Sequence, residues 1–401
     1  MFRKTNFILI NEISLSFFLK KSGDYFWVLS ISGILFWIAN FFGLGNTSDS
    51  MLYNEIAEEI NSKSFFLVEG FKIKPPVFPL IISVIGEQNM VWLNFLCLLG
   101  IQSFGVFWSR RITNRFLRHL FLIIVIFSTP HLLISSFLWT EPLFLFTLLL
   151  VFYFLDKFQH TTQLKFLIPA IILIVILPFI RFAGVFLIIP LFVVQLATLK
   201  NKKIAFFSFL FLLSLIVVWV CIFNEGFIRR WDRFTYLFFS GKLSHLEFNL
   251  YSYSKALSSW FFPYVIEGVF SRLLSVMILL AVIYKASRLY FISRANVLFL
   301  APLLFFVYYF LMMSIFKVEY YAAERYLAIF YFLIMLNLFL QIDIYFKSIE
   351  SVYFRRGVYF TIIIFAVYNL LRTLKNVYFW YDLRSESSWV EIVGNTQSMI
   401  L

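Results

Sequence analysis

The chain alternates long apolar runs with short polar breaks, and the runs set the architecture. Apolar stretches recur at about 25–42, 90–108, 119–136, 142–157, 166–180, 182–199, 204–223, 263–284, 296–316, 327–346 and 358–376. A helix needs roughly 17–25 apolar residues to cross the hydrocarbon of a bilayer. The runs are too long and continuous for the alternating strands of a membrane barrel. The pattern therefore predicts an all-α, multi-pass transmembrane protein of about 11 spans, whose termini lie on opposite sides of the membrane.

The breaks between runs divide the chain further. Residues 1–24 read as an inner-side surface segment. Its apolar part, Phe7 to Leu19, is interrupted by Asn11 and Glu12, and no small-residue cleavage site follows. That suits an amphipathic helix on the membrane surface rather than a signal peptide. The transmembrane domain covers 25–376, with outer loops at 43–89, 224–262 and 317–326 and an outer-side tail at 377–401. No soluble domain is large enough to stand alone, and no internal repeat is visible.

Composition sharpens the membrane reading. The chain is 62% hydrophobic and only 14% charged, with a mean hydropathy of +0.88, well above the half-apolar norm of soluble domains. A net charge of +13 would raise nucleic acid as a partner, but the positions of the charges answer otherwise. With the N-terminus inside, basic clusters such as Arg110, Arg111, Arg115 and Arg118 fall on the inner side, as the positive-inside rule requires. This predicts a cytoplasmic N-terminus and no nucleic-acid partner, and a plasma (inner) membrane is the expected location. The acids do the reverse. All but Glu12, Asp24, Asp156, Asp343 and Glu350 lie outside or at the outer ends of spans. The positive-inside rule counts bases, not acids, so the acid bias needs its own cause. Ionisable groups collected at one membrane face point to a site. Cys97 and Cys221 both lie inside apolar runs, so no disulfide framework is implied.

The candidate chemistry starts in the first outer loop. Thr47, Ser48, Asp49 and Ser50 can each cap a helix. Beyond them Leu52, Tyr53, Ile56, Ala57 and Ile60 share one face, and Glu55, Glu58 and Glu59 face away. This predicts an amphipathic helix in the outer interface, with the three glutamates as its wet face. Asp49 falls on the inward side, either as a cap or as a working carboxylate. Pro75 and Pro76 then stop any preceding helix, and the stretch to Ile85 is too short to span and dips into the outer leaflet. Lys74, just before them, either snorkels or meets an anionic headgroup. Further on, Glu141 opens an outer-side span with Pro142 in its first turn, and Arg181 sits between two apolar runs. Glu324, Arg325 and Tyr326 stand at the outer end of another span. Carboxylates and cations at one outer face are what a phosphate-bearing lipid substrate needs. The acid accepts a proton and the cations, arginine above all, neutralise the leaving phosphate. The sequence holds no glycine-rich phosphate loop, HExxH or GxSxG. His119, His131, His160 and His245 form no ligand spacing. No cofactor is required, although Asp49 and Glu141 could share a divalent cation.

The order of these features resembles the GT-C fold membrane glycosyltransferases that use polyprenyl-phosphate sugars. The branch it looks most like contains protein O-mannosyltransferases and lipid A aminoarabinose transferases. The resemblance is carried by Asp49, Tyr53 and the Ile56-Ala57 pair, then Lys74-Pro75-Pro76, Glu141, Arg181 with Gly184, and Arg325-Tyr326, over roughly residues 25–345. Three departures stand out. Ser50 follows Asp49 where the branch often has a second acid, the second acidic position is Glu rather than Asp, and only a short tail follows the last span. The resemblance implies a GT-C-like fold and transfer of a sugar, with inversion, from a polyprenyl-phosphate donor to a glycolipid or polysaccharide acceptor. It implies catalytic roles for Asp49, as general base, and Glu141. Substrate would be bound by Tyr53, Lys74, Arg181, Arg325 and Tyr326. Arg229, Arg230, Trp231 and Arg233 in loop 224–262 would cover a headgroup. The rival reading is a polysaccharide polymerase or a flippase of lipid-linked sugars. A small-solute transporter would call for two related halves with broken helices.

Overall fold

A computed structural model describes residues 22–63, 68–72, 74–199, 202–223, 244–263, 266–293, 297–300, 320–348 and 350–386. The expected surface segment up to residue 21, most of the expected span 296–316 and the cluster Arg229 to Arg233 lie outside the described residues.

Among the described residues the fold is helical throughout and contains no strand. The chain runs through α1 (Ser22–Ala39), α2 (Ser48–Ser62), α3 (Val77–Ile85), α4 (Met90–Ser109), α5 (Arg115–Ile126) and α6 (Thr129–Ser135). It continues with α7 (Glu141–Thr161), α8 (Leu164–Ile180), α9 (Ile188–Thr198), α10 (Lys202–Phe223) and α11 (Ser244–Phe261). It closes with α12 (Val269–Ser293), α13 (Tyr320–Phe346) and α14 (Val352–Glu386). Among the described residues, five segments are long and apolar enough to cross a membrane: Glu87–Ser109, Arg115–Ser135, Val269–Leu289, Ala322–Phe346 and Val352–Ser385. Gly23–Ala39, Leu164–Ile180 and Ala205–Leu215 are shorter apolar helices.

Burial sorts these helices into layers. In their most apolar stretches, 78% of the residues of Arg115–Ser135 and of Ala322–Phe346 are buried, against 22% in Val352–Ser385, so α5, α6 and α13 form the centre and α14 the flank. The exposed flank carries Phe360, Ile364 and Leu371, an apolar surface suited to lipid. Around the centre, α7 and α8 form a tight hairpin, α4 packs on α1 and α7, and α11 packs on α12 and α13.

Local chemistry explains several departures from the expected spans. The run 119–136 is two helices, because Ser128 caps a new one by accepting from His131 N at 3.3 Å and Pro130 stands in its first turn. The run 182–199 is a 3-10 segment, Phe182–Leu187, followed by the short α9. The stretch after Pro76 is the short helix α3, and loop 224–262 contains α11, which the apolar pattern did not reveal. The helix expected to end near 376 continues unbroken to Glu386, so the first part of the expected tail is helical. At 1.5 Å per residue α14 is about 52 Å long, more than the ~30 Å hydrocarbon core.

Two of the acids expected on the inner side, Asp343 and Asp156, have structural work. Asp343 accepts from Thr113 N at 2.9 Å, Thr113 Oγ1 at 2.8 Å and Asn114 N at 2.9 Å, fixing the turn into α5. Asp156 pairs with Arg111 and stands 3.5 Å from His160. Asp49 and Glu141 are arranged differently.

Candidate functional site

The site is assembled by the loops that lead into α2 and α7. Gly45 and Phe137 form a parallel bridge, with Gly45 N donating to Ser136 O at 2.9 Å and Leu138 N to Gly45 O at 3.0 Å. A Cβ at Gly45 would lie 2.6 Å from the Phe137 ring, so the approach needs glycine. Two side-chain bonds extend the seam. Trp139 Nε1 donates to Thr47 Oγ1 at 3.0 Å, and Ser50 Oγ donates to Leu138 O at 3.0 Å. Thr47, not Asp49, is the N-cap of α2, through a reciprocal box with Ser50. The capping role weighed for Asp49 is therefore filled by another residue. Asp49 lies in the first turn of α2, where the helix dipole favours an acid.

The return of the chain delivers Lys74. Tyr53, Ile56 and Ala57 are buried on one face of α2, as the periodicity predicts, and Tyr53 packs edge-on against Phe78 of α3 at 5.1 Å. Glu55 and Glu58 are exposed. Glu59 departs from the expected wet face. Its carboxylate accepts from Lys63 Nζ at 2.8 Å, Glu69 N at 3.2 Å and Gly70 N at 3.3 Å, and so clamps the returning segment to the helix. These partners, the Lys63 ammonium first, hold the Glu59 carboxyl below its ordinary value. Gly70 fits because a Cβ there would lie 2.3 Å from the Ile56 side chain. Lys74 N then bonds Gly70 O at 3.0 Å, and the side chain turns back to Asp49.

Asp49, Tyr53, Lys74, Glu141, Arg181, Arg325 and Tyr326 meet in one place, while Glu324 faces Arg372 instead. Asp49 Oδ1 accepts from Lys74 Nζ at 2.7 Å and Asp49 Oδ2 from Arg325 Nη1 at 2.6 Å. Arg325 also pairs through Nε with Glu141, and Arg181 pairs with the same Glu141 oxygen. Arg325 thus bridges the two carboxylates, in the position a shared cation would take. Its guanidinium lies 4.3 Å from the centre of the Trp139 ring, Arg181 lies 5.1 Å from that of Tyr326, and Lys74 lies 5.3 Å from that of Tyr53. Arg181 leaves the end of α8 in extended conformation, and Gly184 N returns to its carbonyl at 2.8 Å. A Cβ on Gly184 would stand 2.5 Å from the Leu177 carbonyl carbon and 2.6 Å from Pro178 N.

Exposure separates the two acids. The Glu141 side chain is fully buried, whereas that of Asp49 is 32% exposed, the most accessible of the five charged groups. Burial alone would raise the Asp49 carboxyl, but the charges of Arg325 and Lys74 and their hydrogen bonds outweigh it and hold it far below the usual carboxylate range. Burial, reinforced by the neighbouring Asp49 charge, pushes the Tyr53 hydroxyl up, so it stays protonated. Two acids against three bases leave the group with one surplus positive charge.

Some members had little signal in the sequence. Trp139 and Thr140 enter only through folding; Thr140 Oγ1 stands 3.4 Å from both Arg181 Nη1 and Glu141 Oε2. Arg372 and Arg384 did have a signal, as arginines in or beside an apolar run. Arg372 pairs with Glu324 and donates to Ser259 O at 2.6 Å, tying α14 to α13 and α11. Arg384 donates to Ala39 O at 2.7 Å, Asn40 Oδ1 at 2.8 Å, Gly43 O at 3.2 Å and Ser136 O at 2.6 Å, pinning α14 to the loop that precedes α2.

Among the described residues no group of three or more His, Cys, Asp and Glu could hold a metal ion. A separate apolar hollow of about 610 Å³ between α1, α4 and α14, lined by Gly33, Trp37, Phe95 and Tyr381, contains none of the site residues. No family model, curated protein or solved structure matches this chain.

Proposed function

We propose that the chain is a membrane glycosyltransferase of GT-C-like architecture with about 11 spans. It moves a sugar from a polyprenyl-phosphate donor to a glycolipid or polysaccharide acceptor at the outer face of the plasma membrane. One observation carries this reading: a partly exposed carboxylate, Asp49, converges with Lys74, Arg181 and Arg325 at one end of the helices. A carboxylate beside cations suits a reaction in which one oxygen loses a proton and another gains negative charge.

In this reading Asp49 takes the proton of the acceptor hydroxyl as that oxygen attacks the anomeric carbon. The new C–O bond forms opposite the leaving group, so the configuration inverts, as when a carboxylate activates the incoming oxygen in inverting glycoside hydrolysis. The bond from the anomeric carbon to the phosphate oxygen breaks, and its electron pair leaves with the lipid phosphate. Lys74 and Arg325 receive the added charge. The proton on Asp49 passes to water. Glu141, buried behind Arg325, positions Arg325 and Arg181 rather than touching the sugar. Tyr53 and Tyr326 set the orientation of the cations that lie over their rings.

The test is turnover by the purified full-length chain in nanodiscs, supplied with polyprenyl-monophosphate sugars and lipid-linked acceptors. The reading expects free polyprenyl phosphate to appear in step with a glycosylated acceptor. Transport of intact lipid-linked sugar across a bilayer, with no such products, would overturn it in favour of a flippase. Extension of a glycan from diphosphate-linked units alone would favour a polymerase.

A further inference from the structure

We propose that Asp49 occupies the phosphate subsite of the resting protein, and that a phosphate-bearing ligand enters by exchanging with its carboxylate on Lys74 and Arg325. The inference rests on the glycosyltransferase reading for the kind of molecule that carries the phosphate. The exchange itself rests on the geometry.

The two oxygens of Asp49 take one cation each, at 2.7 Å from Lys74 Nζ and 2.6 Å from Arg325 Nη1. Two oxygens of a phosphate can engage the same pair of donors, because both anions present charged acceptors of similar reach. Asp49 is also the outermost member of the group. Its side chain is 32% exposed, against 17% for Lys74, 13% for Arg181, 8% for Arg325 and none for Glu141. An anion arriving from outside meets Asp49 before it reaches the cations. The inner partners are not available for exchange in the same way. Glu141 keeps Arg325 and Arg181 in place from the buried side, so Arg325 can release Asp49 without losing its only acid.

The exchange has a chemical consequence. A carboxylate that two cations hold this firmly is a poor proton acceptor. Once phosphate takes the cations, Asp49 regains ordinary basicity beside the bound donor. Donor binding thereby arms the base, and the acceptor hydroxyl is activated only when a sugar stands ready to receive it. The resting ion pair also keeps the surplus charge of the site small until the ligand arrives.

Binding and labelling of the full-length protein in nanodiscs test the exchange, with farnesyl phosphate as the probe and farnesol as its uncharged control. Removing the internal competitor should tighten binding, so Asp49→Asn is expected to bind farnesyl phosphate at least about tenfold more tightly than the wild type while binding farnesol equally. Equal or weaker phosphate binding by an Asp49→Asn protein that still binds farnesol would overturn the proposal. A second measurement needs no variant: farnesyl phosphate should increase carbodiimide modification of Asp49 in the wild type, read by mass spectrometry, and farnesol should not. Unchanged or reduced labelling would count against exchange. The two ideas fail separately. Tighter binding without turnover of any sugar donor leaves the exchange and removes the transferase, whereas turnover with unchanged affinity does the opposite.

Discussion

Replacing Glu141 by Gln should destabilise the protein more than any other isosteric change at the site. The side chain is fully buried and pairs with both Arg325 and Arg181. Gln keeps the volume and one acceptor oxygen but removes the charge. Three bases would then face Asp49 alone, and the buried end of the cluster would carry uncompensated positive charge. Breaking a buried pair by neutralising one partner costs about 3–5 kcal/mol. The retained amide oxygen argues for the lower end, about 3 kcal/mol. Each kcal/mol moves the midpoint by about 2–4 °C in domains of 150–250 residues and by less in a longer chain, so a drop of several degrees is expected. Intrinsic fluorescence of the ten tryptophans gives the melting curve in detergent or nanodiscs. Thr140→Val, which removes only a hydroxyl 3.4 Å from Glu141, is the control and should shift the midpoint by much less. The Glu141→Gln/Arg325→Gln double variant should be less damaging than the two singles added, because the residues share one interaction. A Glu141→Gln midpoint within a degree of the wild type, with additive singles, would refute the claim that this pair holds the N-terminal ends of α7 and α13 together.

Other expectations follow from separate contacts. Gly184→Ala would press a methyl against backbone atoms of Leu177 and Pro178 at about 2.5 Å, which opens the turn after α8; a cost of about 1–3 kcal/mol and a loss of transfer through displaced Arg181 are expected, and wild-type melting and turnover together would exclude it. Arg384→Lys should melt well below the wild type despite keeping the charge, because one ammonium cannot reproduce the fork that reaches Ala39, Asn40, Gly43 and Ser136; an unchanged midpoint would show that charge alone suffices. The lowered Asp49 carboxyl has a signed consequence for pH. Its ionised form contributes stability above the unfolded value of about 3.9, and that contribution is lost as pH falls through this value toward the lower folded one. The melting difference between wild type and Asp49→Asn should therefore hold level from pH 7 to about 5 and close only below about 4, whereas closure near pH 6 would contradict the pairing.

The sequence showed most of the site and less of the fold around it. Glu141, Arg181 and Arg325 were visible because a charge at the edge of an apolar run has few cheap places to go. Asp49 and Lys74 stood out at the start of an amphipathic helix and before a Pro-Pro stop, and Tyr53 and Tyr326 were singled out by the family resemblance. The helical face of α2 was visible for a different reason, since Tyr53, Ile56 and Ala57 repeat at the period of a helix. The task of Glu59 was hidden, because its partners are backbone amides of Glu69 and Gly70, which carry no mark in the sequence. Trp139 was hidden because an aromatic in an aromatic-rich chain gives no signal until a guanidinium lies over it. Helix ends were the least legible. Hydropathy detects what lipid tolerates, so it missed α11, whose exposed side includes Tyr251 and Leu250 but whose sequence is polar, and it stopped α14 near Asn376, where Arg372, Lys375 and Asn376 interrupt the run, although the helix continues to Glu386.

The central claim is that Asp49 is the base of a sugar transfer. Its most direct test is the transfer rate of Asp49→Asn against the wild type, in matched nanodiscs, with one polyprenyl-monophosphate sugar and a saturating acceptor. The account predicts a loss of about 10²–10⁴-fold, the usual worth of a general base, with the donor still bound. A rate near that of the wild type would contradict it and leave Asp49 as a structural partner of Lys74 and Arg325.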